Sequence, residues 1–260
     1  MDLRECCATA GARHPWEVSR ACFFRDRLVA QGILRPGTRV LDVGAGDGYL
    51  ASVLLPVVRP AGAVLCYDAH YQASLLERLR TGAEPELTFT NQRPDRGFDM
   101  VLLLDVLEHV ADDRDVLTGV VRDLVRPGGV LVASVPAWPW FFTRHDQMLG
   151  HHRRYRPERL QQLLRQCDLT VVDQGGLFHS LLAVRGAEKL GELVRGVHSQ
   201  PNPESAPSIA DTAVAHWRGR PWLTRAALKG LALDRAVGRM CARAGVVLPG
   251  LSTWAIARKT

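Results

Sequence analysis

Phe98–Leu104 reads Phe-Asp-Met-Val-Leu-Leu-Leu, an almost uninterrupted apolar run, and it narrows the choice of folds more than any other stretch. A strand of this composition has no face to give to solvent. It needs cover on both sides, which parallel strands receive from their crossover helices. The flanking segments fit that demand. Arg39–Val43 is a short apolar strand that breaks at Gly44-Ala45-Gly46-Asp47-Gly48, and a helical pattern follows from Tyr49 through Leu55. Ala63–Tyr67 is a second strand, ending at Asp68, with a helix expected from Gln72 to Arg80 and a weaker third strand over Leu87–Thr90.

After Phe98–Leu104, Asp112 and Asp113 form an acidic helix start. Val116, Val120, Val121, Leu124 and Val125 then recur at three- and four-residue steps until Pro127-Gly128-Gly129 ends the helix. Strand five is expected over Val130–Val135. Alternating strands and helices with right-handed crossovers predict an α/β, doubly wound, mostly parallel sheet. A helix from Trp16 to Gln31 precedes it, a helix over Pro157–Gln166 and a strand over Leu169–Gln174 follow, and Thr253–Ala257 reads as the last strand.

Roughly seventy residues between the last two strands exceed any ordinary loop and form a helical insertion. It holds an amphipathic stretch from Leu181 to Val197, a Pro/Ser-rich linker from Gln200 to Ser208, and a second helical region from Trp222 to Ala244. The expected organisation is an N-terminal helical cap over 1–36, a core over 37–178 with a lid at 137–156, the insertion over 179–250 with a mobile linker at about 198–212, and a final core strand at 251–260.

Bulk properties exclude some classes. No apolar run approaches the roughly 20 residues a membrane span needs. Residues 1–6 lack the charged-then-apolar layout of a secretory signal, so a cytoplasmic protein is expected. Six scattered cysteines suggest neither a disulfide framework nor metal-ligand spacing, and no metal site is expected. The net charge of +6 is compatible with nucleic acid, anionic lipid or an acidic substrate. Nearly all of it is arginine in an Ala-, Gly- and Pro-rich chain, which a GC-rich coding genome would produce without any functional cause.

Chemistry concentrates at the strand ends. Glycines 44, 46 and 48 allow a sharp turn where ligands enter such sheets. The G-x-G-x-G spacing differs from the G-x-G-x-x-G dinucleotide fingerprint, and Asp42 just before it favours a cationic group over a diphosphate. Asp68 at the next strand end is placed to accept hydrogen bonds from ribose hydroxyls.

Through Val40–Gly48 and Leu104-Asp105-Val106-Leu107-Glu108-His109-Val110, the chain resembles the class I S-adenosylmethionine-dependent methyltransferases. The resemblance extends to Arg126-Pro127-Gly128-Gly129, Val135-Pro136-Ala137, His145-Asp146 and Gly150-His151-His152-Arg153-Arg154-Tyr155, a longer signature similar to that of a bacterial subgroup. It implies a Rossmann-like sheet with an antiparallel final strand and S-adenosylmethionine as cofactor, released as S-adenosylhomocysteine. It places Asp42, Gly44, Ala45, Gly46 and Gly48 at the methionine end, Asp68 and Ala69 at the ribose, and Asn91 or Gln92 near adenine. Asp105, Val106 and His109 would face the sulfonium end or the acceptor. A local role for His109 at a helix start is the alternative.

The segment from His145 to Tyr155 is expected to cover the acceptor. Histidine suits proton abstraction near neutral pH, so His145 oriented by Asp146 is the first candidate base and His151 the second. Trp138, Trp140, His152, Arg153, Arg154 and Tyr155 would contact the acceptor, the arginines gripping a carboxylate or phosphate. A lid held together by ion pairs, with its aromatics packed beneath it, is the competing account.

The expected activity is methyl transfer to a small-molecule or lipid-linked acceptor, with oxygen the favoured nucleophile. The basic insertion around 213–245 would either rest on an anionic membrane or close the pocket. An NAD-dependent oxidoreductase, a catalytically silent cofactor-binding or regulatory protein, and a nucleic-acid methyltransferase are the alternatives. The last ranks low because no base-methylating motif follows strand four.

Overall fold

The computed structural model describes residues 13–194 and 220–260. Among them, seven strands form one sheet: β1 (Arg39–Val43), β2 (Ala63–Tyr67), β3 (Leu87–Thr90), β4 (Phe98–Leu104), β5 (Val125–Pro136), β6 (Leu169–Leu177) and β7 (Ser252–Lys259). Their spatial order is β3-β2-β1-β4-β5-β7-β6. β1 to β5 pair in parallel, whereas β7 lies antiparallel to both β5 and β6. The expected Rossmann-like arrangement, with an antiparallel final strand, is the one observed.

The alternating faces of β4 show why its sequence is apolar throughout. Met100, Leu102 and Leu104 join one core with Phe23, Phe24 and Leu28 of α1 (Pro15–Ala30), Leu54 and Leu55 of α2 (Tyr49–Val58), and Leu76 of α3 (Ala73–Arg80). Val101 and Leu103 join a second core with Leu117, Val120 and Val121 of α4 (Asp113–Leu124) and with Leu160, Leu163 and Leu164 of α6 (Pro157–Gln166). Each such side chain contributes roughly 1.5–3 kcal/mol by leaving water, so the two layers hold the sheet from both sides.

Helix ends follow local chemistry. The Asp112 carboxylate accepts the Asp115 N–H at 2.9 Å at the start of α4, and Pro occupies the first turn of α1 and α6. At the other end of α4, Lys259 Nζ donates to the carbonyls of Val121, Arg122 and Val125, joining that terminus to β7. Here the sequence reading needs one correction. Pro127-Gly128-Gly129 does not separate helix from strand; β5 already begins at Val125, with an irregular register opposite Phe98 and Met100.

Two further helices, α7 (Leu181–Val194) and α8 (Pro221–Arg243), belong to the insertion. α8 packs along α1, burying Leu231 in the first core and donating from Arg235 to the Ser19 carbonyl at 2.6 Å. Asp234 of α8 accepts the backbone N–H groups of His179 and Ser180, at 3.0 and 2.7 Å, where α7 begins. The linker expected at about 198–212 lies outside the described residues, as does 213–219 of the basic stretch. No helix among the described residues is long and apolar enough to cross a membrane.

Because Asp234 satisfies two backbone donors from another helix, Asp234→Ala is expected to cost about 1–2 kcal/mol. Hydrogen exchange should quicken at residues 179–185 while the amides of β1 and β4 stay protected. Uniform loosening of the whole chain would contradict this account.

Candidate functional site

A cavity of about 790 Å³ opens at the carboxyl ends of β1 and β4, at the point where the sheet order turns back on itself and where doubly wound sheets bind ligands. Its floor is the turn after β1. Gly44 and Gly48 both hold positive φ, +68° and +74°, and a Cβ at Gly44 would lie 2.8 Å from Val106 Cγ2 while one at Gly48 would strike the Phe89 ring at 2.6 Å. Val106 thus seats the turn and Gly44 leaves backbone exposed to the cavity. Asp42, just beneath, is buried and faces the same space. Burial raises its carboxyl to about 6, against the pull of Arg20. A buried acid of this kind gains from a cationic ligand group. Asp42, Gly44, Ala45 and Asp105 therefore fit the cationic amino end of S-adenosylmethionine.

The β4 end is held from α1. Asp105 adopts φ +56°, and its carboxylate accepts Ser134 Oγ at 3.0 Å and is ion-paired with Arg20. Arg13, just before α1, pairs with Asp47 of the glycine turn and stacks 4.0 Å above the Tyr49 ring. Arg13, His14, Trp16, Glu17 and Arg20 all line the cavity, so the leading helix forms one of its walls.

The lid supplies another wall. Residues 137–155 leave β5 and return beside it, with Ala137 bridged to Tyr155, and they carry the short helix α5 (Arg144–Met148). Asp146 is the hub. Fully buried, it accepts hydrogen bonds from Thr143 N at 2.9 Å, Thr143 Oγ1 at 3.1 Å, Arg154 Nε at 2.8 Å and Arg185 of α7 at 3.1 Å, and it is bonded to His151 Nδ1 at 3.0 Å. Burial alone would raise its carboxyl; the bonds from His151, Arg154 and Thr143 outweigh it and hold the group well below the usual aspartate range. Arg154 also donates to the Ala137 carbonyl at 3.2 Å, and burial lowers its own pKa.

Glu108 and His109, in the turn after β4, reach the same cavity as His145 and His151. Burial, then repulsion from Asp105, pushes the Glu108 carboxyl well above its ordinary value. The His109 and His151 rings meet edge to face, centroids 4.7 Å apart.

The sequence-derived residues separate into three groups. Asp42, Gly44, Ala45, Asp105, His109, His145, Asp146, His151 and Arg154 all line the cavity. Gly46, Gly48 and Val106 build the turn beneath it: the Gly46 carbonyl accepts the Tyr71 hydroxyl at 2.6 Å, and Gly48 precedes α2. The rest lie elsewhere. Asp68 is buried and accepts the His70 N–H at 2.9 Å, Ala69 and Gln92 are exposed, and Asn91 donates to the Tyr71 carbonyl at 3.1 Å beside a separate depression along α3. Tyr71 and Phe89 pack between these groups and the glycine turn.

Five residues expected to contact the acceptor do not line this cavity. The Tyr155 hydroxyl is buried and donates toward Asp113 Oδ2 at 2.9 Å and the Leu107 carbonyl at 3.1 Å, so it anchors the lid to the turn after β4. Trp138 Nε1 donates to the Gly250 carbonyl at 2.9 Å, and Trp140 is 69% exposed. Arg153 turns to the Ala111 carbonyl and Asp113, and His152 is exposed. The orienting role of Asp146 also shifts: both its oxygens are taken by His151, Arg154, Arg185 and Thr143, making His151 the histidine it holds. Arg13, Arg20, Glu108 and Arg185 were missed. The lone signal for Glu108 was its place beside His109 in a strand-end motif, and Arg185 sits on an insertion helix with no local marker.

Asp146→Asn removes the charge that two arginines and a histidine share, an expected loss of about 3–5 kcal/mol. The folded carboxyl titrates below its unfolded value, so its contribution is complete above the unfolded value of about 4 and is lost as pH falls through the depressed one. The Tm gap between variant and wild type should be widest near neutrality and narrow below about pH 4. A gap independent of pH would refute the assigned ionisation.

The geometry agrees with the comparisons. The profile of the methyltransferase domain family matches residues 17–174, well over half the chain. A ubiquinone biosynthesis O-methyltransferase of Mesorhizobium japonicum is 29% identical over 201 residues, covering 67% of this chain and 79% of the relative. One of the same name from Dinoroseobacter shibae is 30% identical over 167 residues, 56% of this chain and 66% of the relative. Among solved structures, an S-adenosylmethionine-dependent methyltransferase from Mesorhizobium loti superposes with a TM-score of 0.51 at 15% identity, covering 90% of this chain and 96% of that one, a likeness of fold. The chain belongs to the methyltransferase domain family and is a class I S-adenosylmethionine-dependent methyltransferase.

Proposed function

We propose that this enzyme methylates a hydroxyl oxygen of a small acceptor held in the cavity between the glycine turn and the lid. The observation that carries the reading is the buried Asp146–His151 pair on the wall of the cavity that Asp42 also faces. When bound, S-adenosylmethionine supplies a methyl group on sulfonium: the acceptor oxygen's lone pair forms the new bond to carbon, the S–C pair returns to sulfur, and the hydroxyl proton must leave. The chain's own task is placement and activation. Asp42 and the exposed backbone at Gly44 and Ala45 bind the cationic amino end, and Asp105, fixed by Arg20 and Ser134, borders it. Because His151 engages Asp146 through Nδ1, Nε2 is the ring nitrogen whose electron pair remains to activate the acceptor. The names of the ubiquinone-pathway relatives support oxygen as the nucleophile.

A lipid-linked acceptor is a second reading, favoured by α8. Trp222, Leu233, Val237 and Met240 recur on it at helical spacing and are exposed, Leu233 to 67%, with Arg225, Lys229 and Arg239 also exposed on the helix. Apolar side chains beside cations suit an anionic bilayer surface.

Calorimetry should show S-adenosylmethionine binding that weakens as pH drops below about 6, where Asp42 takes up a proton. Asp42→Asn should weaken it by roughly 1.5–3 kcal/mol at neutral pH. His151→Ala should retain the nucleoside yet release less S-adenosylhomocysteine when given phenols with and without a prenyl chain. Undiminished turnover in His151→Ala would remove the activating role, and absent nucleoside binding would remove the whole reading. Separately, Leu233→Glu should reduce co-sedimentation with phosphatidylglycerol vesicles; wild-type protein left in the supernatant would dispose of the membrane contact.

A further inference from the structure

Glu108, His109 and His151 bring one ligand-capable atom each to within 4.8 Å of the other two. They come from distant parts of the chain, the turn after β4 and the segment after α5, and all three line the cavity. Glu108 is 0% exposed, and neither of its carboxylate oxygens has a hydrogen-bond partner. Leaving two such oxygens unsatisfied inside a protein is costly, and native structures rarely do so without a ligand to complete them. The electropositive side chains close by are engaged elsewhere: Arg20 with Asp105, and Arg154 with Asp146 and the Ala137 carbonyl.

The histidine side of the cluster is built to the same end. Asp146 fixes the His151 ring through Nδ1, and Thr143, Arg154 and Arg185 fix Asp146 in turn. A carboxylate on one ring nitrogen sets the tautomer and orientation of an imidazole that coordinates a metal through the other. Two imidazoles and one carboxylate are a borderline donor set, suited to Zn²⁺, Co²⁺ or Fe²⁺ and unlike the all-oxygen shells of Ca²⁺ and Mg²⁺. Donors sharing an ion at about 2.1 Å lie roughly 3–4 Å apart, so closing the set takes side-chain movement on the order of 1 Å.

We propose that Glu108, His109 and His151 form a three-ligand site for a divalent cation of the zinc class, with its open coordination position facing the cavity. The site departs from the sequence expectation of no metal, and it rests on the methyltransferase reading in taking the acceptor hydroxyl as the incoming ligand; with the cation bound, His151 Nε2 serves as a ligand and activates the acceptor through the metal instead of as a free base. The cation draws electron density from the hydroxyl oxygen and lowers its pKa. The O–H bond breaks, its electron pair stays on oxygen, and the proton passes to water in the open cavity. No electron is gained or lost by the metal.

The test uses the full chain stripped with chelator, titrated with CoCl₂ under visible absorption and with ZnCl₂ by calorimetry. Wild type is expected to bind one equivalent with cobalt d–d bands. Glu108→Gln, His109→Ala and His151→Ala should each weaken binding more than tenfold, and Asp146→Asn about 10–100-fold. Exposed His152→Ala should bind as wild type does. Pulsed EPR of wild type with one equivalent of Cu²⁺ needs no variant and should show two coupled imidazoles. Absence of one-equivalent binding, undiminished binding in Glu108→Gln, or fewer than two coupled imidazoles would overturn the site. Stripped wild type that takes no metal yet still binds S-adenosylmethionine and turns over refutes the metal alone. Failure of nucleoside binding refutes the methyltransferase reading instead.

Discussion

The side-by-side parallel pairing of β1 and β4 governs the rest of the molecule. These strands are joined in space but separated in sequence by two further strands, β2 and β3, so the chain turns outward in opposite directions from their ends and leaves a crevice there. Every acid that the site uses from the sheet sits at that boundary: Asp42 within β1, and Asp105 and Glu108 just past β4. The low solvation of Asp42 and Glu108 follows from the same packing that buries Val101 to Leu104. Burial makes the Asp42 and Glu108 carboxyls resist ionisation unless a cation is near, which favours positively charged ligand groups in the crevice.

A second electrostatic layer binds the lid to that crevice. Asp146 ties together the loop after β5, the strand-like return at Arg154 and Tyr155, and Arg185 of the insertion. Tyr155 adds a link to Asp113 at the start of α4. The lid is therefore cross-braced by buried polar bonds, which are directional and fail together when one member is lost. Such bracing suits a wall that must present imidazoles at fixed positions.

The sheet and its helices were legible in the sequence because their signals are local. The apolar run at Phe98–Leu104 required two covered faces, and β2, β3 and β4 occupy the residues their periodicity indicated. β5 was misjudged at its start, since Pro127-Gly128-Gly129 reads as a break but is accommodated by a register irregularity. The site was legible only in part. The motif around Asp42 to Gly48 and the histidines of the lid announced themselves through residue type and spacing. Which carboxylate served which histidine did not, because Asp146 is adjacent to His145 in sequence but folds against His151 across one turn. Tyr155 and Arg153 looked like acceptor contacts in a dense polar segment, yet lid attachment uses the same residue types. Arg20 and Arg185 reach the cavity from helices whose docking is tertiary, beyond anything spacing can reveal.

The insertion departs from β6 and returns into β7, and those two strands are hydrogen-bonded neighbours. Its two ends are consequently pinned side by side whatever lies between them, and closing a longer or shorter excursion alters the chain entropy only logarithmically. One wall of the cavity, bearing Leu181, Val184 and Arg185, is thus hung from a fixed doorway in the sheet. Recutting that wall would reshape the chamber for a differently sized guest while the opposite wall, built from the ends of β1 and β4, kept its form.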